Sequence, residues 1–146
     1  MSADPYDLER FVKAQAADYD RALAELRAGE KRSHWMWYIF PQIEGLGLSS
    51  MSRRYSIKSV AEAEAYLAHP ILGTRLRECF AVVNDLHGRS AHDIFGSPDD
   101  MKFRSCATLF AHVSEDGTFQ HALDNYFNGE EDQLTVRQLR ILADQV

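Results

Sequence analysis

The chain has 146 residues, of which 45% are hydrophobic and 26% charged, and this composition predicts one globular domain spanning residues 1–146. Its formal net charge of −6 argues against nucleic acid and anionic membrane surfaces as partners. No apolar run resembles a signal peptide or could span a bilayer, and there is no CxxC motif. We therefore expect a cytoplasmic protein whose two cysteines are buried free thiols.

Apolar residues recur at helical spacing from the start of the chain. Asp4 is the predicted N-cap of a first helix, and Gly29 is predicted to follow the end of that helix. Residues 31–42 form an apolar run that fits either a strand or a short buried helix, because periodicity cannot decide over so few positions. Residues 49–56 are expected to be irregular.

The helical pattern continues to the C-terminal end. Ser59 and Glu62 form a capping box, which predicts the start of another helix. After Pro70 the apolar residues recur at three- and four-residue steps and place Ile71 and Phe80 on one buried face. Further helical segments follow. The prediction is an all-α, mainly helical fold: a single compact domain of about six to eight helices around one hydrophobic core.

Residues 33–42, SHWMWYIFPQ, contain both tryptophans together with a tyrosine and a phenylalanine. A large aromatic side chain buries about 150–250 Å², so this segment is expected to contribute to the core. It also carries polar groups at His34, the Trp35 indole and Gln42, which a purely structural core would not select. Two interpretations stay open: an aromatic box that is only core, and a core whose edge lines a pocket.

The same decapeptide resembles the signature HWMW-[FY]-x-FPQ of an uncharacterised family, number eighteen-ten among the domains of unknown function. Further segments resemble the family in the same order: LERFV-x-AQ (8–15), EGLG-x-S (44–49), YL-x-HP (66–70), FGSPDD (95–100), K-x-RS (102–105) and TLF (108–110). The resemblance covers nearly the whole chain and implies a single, mainly α-helical domain, which favours a helix for residues 31–42. It brings no established activity, although some members are labelled calpastatin.

A second group of polar residues follows FGSPDD. If residues 102–108 are helical, Lys102, Ser105 and Thr108 share one face near a helix start, where free backbone N–H groups would favour an anion. Alternatively, Ser105 and Thr108 donate to backbone carbonyls within the helix while Lys102 points to solvent. Both interpretations are compatible with the sequence.

Arginine residues add positive charge to an acidic chain. Arg53 and Arg54 are adjacent, and Arg75 interrupts an apolar stripe. We expect Arg75 to point inward, where an unpaired charge would be costly. Its partner would be a carboxylate of the fold or an anionic ligand.

Standard catalytic and metal-binding motifs are missing from the sequence. It contains no phosphate-binding loop, GxGxxG or GxSxG motif, and its six histidines form no HExxH motif or Cys/His cluster. We therefore predict neither a metal site nor a cofactor. Whether the protein is an enzyme stays open at this stage.

Two hypotheses for function follow from the polar residues. The first is a binding domain, or an enzyme, for a planar anionic small molecule such as a nucleotide or an ADP-ribose-like compound. Its predicted ligand-binding residues are Trp35, Gln42, Arg75, Lys102 and Ser105. If the ligand is turned over, His34 and Asp100 are the candidate acid–base residues. The alternative is a non-enzymatic protein-interaction module with an unknown partner, in which the aromatic box is only core.

Overall fold

Nine helices make up most of residues 4–143, the part of the chain that this computed structural model describes. In chain order they are α1 (Glu9–Arg27), α2 (Met36–Ile39), α3 (Ser50–Arg54), α4 (Val60–Ala68), α5 (Leu72–Asn84), α6 (Ala91–Phe95), α7 (Asp99–Val113), α8 (Gly117–Phe127) and α9 (Gln133–Ala143). The predicted all-α fold class is confirmed. The helix count exceeds the prediction because α2, α3 and α6 are short helices of four or five residues.

Helices α5 and α7 organise the packing. Helix α5 contacts α1, α4 and α8, while α7 contacts α4, α6, α8 and α9. Each of the two helices therefore joins segments that lie far apart in the chain. None of the helices in residues 4–143 combines the length and apolar character that a membrane span requires.

The aromatic box lies in the core, where Phe40 follows α2. The centroid of its ring lies 5.3 Å from that of Phe80, 5.8 Å from Phe95 and 5.2 Å from Phe103, all edge-on. Edge-to-face pairs at such distances add to the stabilisation from burial. Of the predicted face of α5, Phe80 is fully buried, but Ile71 is 41% exposed because it precedes the helix instead of lying on its inner face.

Residues 31–42 are helical only in the four residues of α2, so the predicted choice between helix and strand for the whole segment was too simple. The backbone N–H groups of Arg32 and Ser33 donate to the Glu25 carboxylate at 2.7 and 2.9 Å. Because these two N–H groups bond to a side chain, they form no helical hydrogen bonds to backbone carbonyls. The preceding helix α1 therefore determines the conformation of this segment.

Polar side chains stabilise the starts of several helices. The Asp4 carboxylate accepts the N–H groups of Leu8 and Glu9, so Asp4 stabilises the first turn, although α1 begins later than predicted. Ser49 accepts the N–H of Ser52 at 3.1 Å and starts α3. The expectation of irregular structure for residues 49–56 was therefore wrong for α3.

A parallel β-bridge between Ile43 and Ile57 connects the two ends of the segment that contains α3. The N–H of Ile57 donates to the Gln42 carbonyl, and the N–H of Glu44 donates to the Ile57 carbonyl, both at 2.8 Å. These two hydrogen bonds hold the ends of the segment together. As a result, the end of α3 lies beside the start of α4.

Candidate functional site

The predicted site residues of the aromatic segment lie in different environments. Trp35 is fully buried, and its Nε1–H donates to Glu25 at 3.0 Å. His34 is exposed. Gln42 is half-buried, makes no side-chain hydrogen bond within residues 4–143, and lines a cavity of about 20 Å³ beside Trp37. That volume is enough for about one water molecule, which excludes a planar ligand from this cavity.

The polar residues of α7 have partners within the protein. Lys102 Nζ lies 3.4 Å from the Asp99 carboxylate, which also pairs with Lys31 Nζ at 2.8 Å. The Ser105 hydroxyl donates to the Met101 carbonyl at 3.1 Å, as the second interpretation of this segment predicted. The carboxylate at the helix start thus occupies the position where an anion was expected.

Arg75 and Asp100, on α5 and α7, also contact other side chains. Arg75 is half-buried, with its guanidinium carbon 4.6 Å from the centroid of the Tyr19 ring and Nη1 3.4 Å from Gln15 Oε1. It therefore points inward as expected, but toward a ring and an amide instead of a carboxylate. Asp100 Oδ2 lies 3.7 Å from His92 Nδ1.

These contacts do not gather the seven predicted residues into one site. Trp35, Lys102 and Ser105 are each engaged by neighbouring groups of the fold. A role for any of the seven in ligand binding or catalysis stays a prediction. A cluster of cationic side chains lies on another part of the surface.

A cleft of about 600 Å³ lies where the start of α1, the end of α3 and the start of α4 meet, and we call it the cationic cleft. Its lining residues are Pro5, Tyr6, Asp7, Arg10, Arg53, Arg54, Lys58, Ser59 and Glu62. Four cationic side chains and two carboxylates give this cleft a formal charge of +2. The chain as a whole has a net charge of −6, so positive charge is concentrated here.

Arg10 joins the elements around the cationic cleft. All five of its N–H groups donate, at distances of 2.6–2.9 Å. The acceptors are the carbonyl oxygens of Tyr6, Asp7, Arg54 and Ser56 and the carboxylate of Glu62. The side chains of Arg10 and Glu62 are only 9% and 3% exposed. This pair is therefore a structural ion pair, and it neutralises one of the two carboxylates of the cleft.

The other three cations are free of such partners. Arg53, Arg54 and Lys58 are exposed, and none of them forms an ion pair within residues 4–143. The Arg54 guanidinium lies over the ring of Tyr55, 5.6 Å from its centroid. The remaining carboxylate of the cleft belongs to Asp7. The unpaired cations therefore exceed it by two charges.

Two serines fix the backbone that carries these cations. The Ser56 hydroxyl donates to the Arg53 carbonyl at 3.0 Å, and Ser59 accepts the N–H of Glu62 at 3.0 Å to cap α4. The Glu62 carboxylate accepts the N–H of Lys58 instead of that of Ser59, so only half of the predicted capping box forms. The polypeptide between α3 and α4 is thus held at several points.

A second cleft of about 600 Å³ shares Pro5 and Tyr6 with the cationic cleft, and we call it the adjoining cleft. Its lining residues are Asp4, Pro5, Tyr6, Leu8, Glu9, Ala65 and His69. Hydrogen bonds from the N–H groups of Glu9 and Leu8 lower the pKa of Asp4 and keep this carboxylate ionised. Asp4 therefore contributes a negative charge to the adjoining cleft while it stabilises the start of α1.

The positive charge of Arg53 and Arg54 is evident in the sequence, but the sequence does not assign them to a site. The available signal was three cations within six residues, Arg53, Arg54 and Lys58, the last of them directly before a helix-capping serine. Tyr6 and Asp7, which complete the cleft, are distant in sequence and gave no such signal. Within residues 4–143, no group of three or more His, Cys, Asp or Glu side chains is arranged to hold a metal ion.

Comparison with known proteins finds one matching family model and a similar solved structure. The model of a family described as "Protein of unknown function (DUF1810)" matches residues 5–139. A crystal structure at 1.38 Å of a conserved hypothetical protein from Mycobacterium tuberculosis, Rv1873, is 51% identical, with a TM-score of 0.93. The match covers 94% of this chain and 99% of that one, which supports the helix arrangement described above. No curated protein matches the sequence.

Proposed function

Because the chain belongs to the family DUF1810, whose function is unknown, we propose a function from the chemistry of the cationic cleft: it binds a small phosphate-bearing ligand. One observation carries this proposal. Arg53, Arg54 and Lys58 line the same cleft without an acidic partner in the described part of the chain. Three exposed cations around one cleft create a local positive potential in a chain of net negative charge, and such a potential attracts an anion.

The cleft suits a phosphate group in both chemistry and size. A guanidinium offers two parallel donors to phosphate oxygens, and an ammonium adds a compact positive charge. Sites for small organic ligands have volumes of about 300–1,000 Å³, a range that includes the cationic cleft at about 600 Å³. A planar anionic compound such as a nucleotide or an ADP-ribose-like molecule fits this description. The binding residues differ, however, from those proposed from sequence.

Arg10 has a different role from the three free cations. Its donors are all used within the protein and its charge is balanced by Glu62, so it supports the cleft without offering hydrogen bonds or net charge to a ligand. Binding should therefore depend on Arg53, Arg54 and Lys58. Replacing these exposed side chains should change the stability of the unliganded protein little.

The proposal can be tested by thermal shift and calorimetric titration with inorganic pyrophosphate and ADP. A ligand at about 100 times its Kd stabilises the folded state by about 2.7 kcal/mol. Arg53→Ala and Lys58→Ala should each weaken binding by about tenfold, because each removes charge-assisted hydrogen bonds. Arg137→Ala is the matched control: Arg137 is exposed on α9 and lines neither cleft.

Two results would contradict the proposal. One is that neither pyrophosphate nor ADP stabilises the protein. The other is that Arg137→Ala weakens binding as much as the cleft variants do. In either case the second candidate function, a protein-interaction module, would take precedence. It is favoured by the exposure of Leu134 (59%) and Ile141 (42%), which lie seven residues apart on one face of α9.

A further inference from the structure

The cationic cleft and the adjoining cleft are two halves of one larger feature. Pro5 and Tyr6 line both, so they form the wall between the two clefts. Tyr6 is half-buried and packs against the core. A ligand that extends from one cleft to the other must therefore pass over this wall.

The adjoining cleft has the composition of a site for a flat ring. Its walls include the ring of Tyr6, the pyrrolidine of Pro5 and the aliphatic side chains of Leu8 and Ala65. Aromatic and aliphatic surfaces of this kind accept the faces of heteroaromatic rings. The two clefts differ in the sign of their charge: the cationic cleft has four cationic side chains, whereas the charged residues Asp4 and Glu9 of the adjoining cleft are acidic.

His69 supplies a hydrogen-bond donor of defined tautomer. Its Nδ1 accepts the N–H groups of Ile71 and Leu72 at 3.1 and 3.2 Å, at the start of α5. In a neutral imidazole with Nδ1 as acceptor, the proton resides on Nε2. The side chain lines the adjoining cleft, so its Nε2–H can donate a hydrogen bond to a ring nitrogen or carbonyl of a ligand.

We propose that the adjoining cleft is a second subsite, which holds the heteroaromatic ring of a ligand whose diphosphate occupies the cationic cleft. This inference rests on the proposed function and narrows its ligand class to ring-bearing diphosphates of the nucleoside diphosphate kind. Tyr6 stacks on the ring, His69 donates a hydrogen bond to it, and Arg53 and Lys58 hold the phosphates. Inorganic pyrophosphate fills only half of such a site.

Calorimetric titration of the full chain with pyrophosphate and with ADP separates the two subsites. ADP should bind about tenfold more tightly than pyrophosphate, which corresponds to one stacked base. His69→Asn keeps a side-chain oxygen that can accept the N–H groups of Ile71 and Leu72, but it removes the Nε2–H, because the shorter amide of asparagine does not reach the position of Nε2. It should weaken ADP binding several-fold and leave pyrophosphate binding unchanged.

Tyr6→Leu should reduce the affinity for ADP by about tenfold, whereas Tyr6→Phe should retain it, because the ring face is what the ligand contacts. Pyrophosphate binding reports whether each variant is still folded. Equal affinities of the wild-type protein for ADP and pyrophosphate would overturn the second subsite while leaving the proposed function intact. So would a His69→Asn protein that binds ADP like the wild type. If neither compound binds, both proposals fail.

Discussion

At the scale of single residues, Glu25 of α1 holds the segment before α2 in place. Its two carboxylate oxygens accept the N–H groups of Arg32 and Ser33, the hydroxyl of Ser33 and the indole N–H of Trp35, all within 3.0 Å. Partial burial raises the pKa of Glu25, but these hydrogen bonds outweigh it and lower the pKa from 4.5 to about 2. The folded state therefore favours the ionised carboxylate.

This pKa predicts a loss of stability in acid. Because the folded-state pKa of Glu25 lies below the value of 4.5, its contribution is complete above that pH and is lost as the pH falls toward about 2. Glu25→Gln should lower the free energy of unfolding at neutral pH by about 2 kcal/mol. Urea unfolding, followed by tryptophan fluorescence across this pH range, measures the difference between the two proteins. A difference that did not shrink with decreasing pH would contradict the assignment.

At the scale of helices, Arg10 joins α1 to the ends of α3 and α4. Its buried ion pair with Glu62 has a distance of 2.7 Å, and its other donors bond to backbone carbonyls on both sides of the cationic cleft. A buried ion pair adds little net stability compared with apolar residues, but loss of one partner leaves a buried charge uncompensated. Arg10 therefore determines how these helices meet.

Arg10→Met should destabilise the protein by about 3–5 kcal/mol, because it removes five hydrogen bonds and leaves the Glu62 carboxylate unpaired. Lys13→Met is the control: Lys13 is exposed on the same helix, and its replacement should change the free energy of unfolding by less than about 0.5 kcal/mol. The double variant Arg10→Met/Glu62→Gln should lose less than the sum of the single variants. Additive losses in urea denaturation would show that the two side chains are not coupled.

At the scale of the whole molecule, Phe103 of α7 is the point where several segments meet. The centroid of its ring lies 4.6 Å from that of Phe95, 5.0 Å from Phe80 and 5.2 Å from Phe40. These rings belong to α6, to α5 and to the residue that follows α2. The aromatic cluster therefore holds together elements that the sequence separates.

Phe103→Ala should lower the free energy of unfolding by about 3–5 kcal/mol, because the cavity it leaves is surrounded by side chains from several elements. Met101→Ala is the matched control on the same helix: Met101 is 45% exposed, so its truncation should cost less than about 1 kcal/mol. Chemical denaturation measures both values. Similar losses for the two variants would show that the ring of Phe103 is not central to the core.

The sequence by itself determined the class of the fold and part of the core. Periodic apolar residues specify a helix and the face that it buries, which is why the spacing alone placed Phe80 in the core. Capping residues also marked helix starts, as Ser59 did for α4. These signals are local, because a helix is formed by hydrogen bonds between residues close in the chain.

Only the tertiary structure decided which polar groups meet. Periodicity tells which face of a helix is buried, but it does not tell which side chain lies opposite. Lys102, for example, pairs with Asp99, which also takes the distant Lys31 as a partner, and the sequence did not indicate this contact. Arg53, in contrast, is left without an acidic partner in residues 4–143, beside a wall made by Tyr6. The cationic cleft exists because α1, α3 and α4 converge, and that convergence depends on contacts between residues far apart in the chain, such as Arg10 with Glu62.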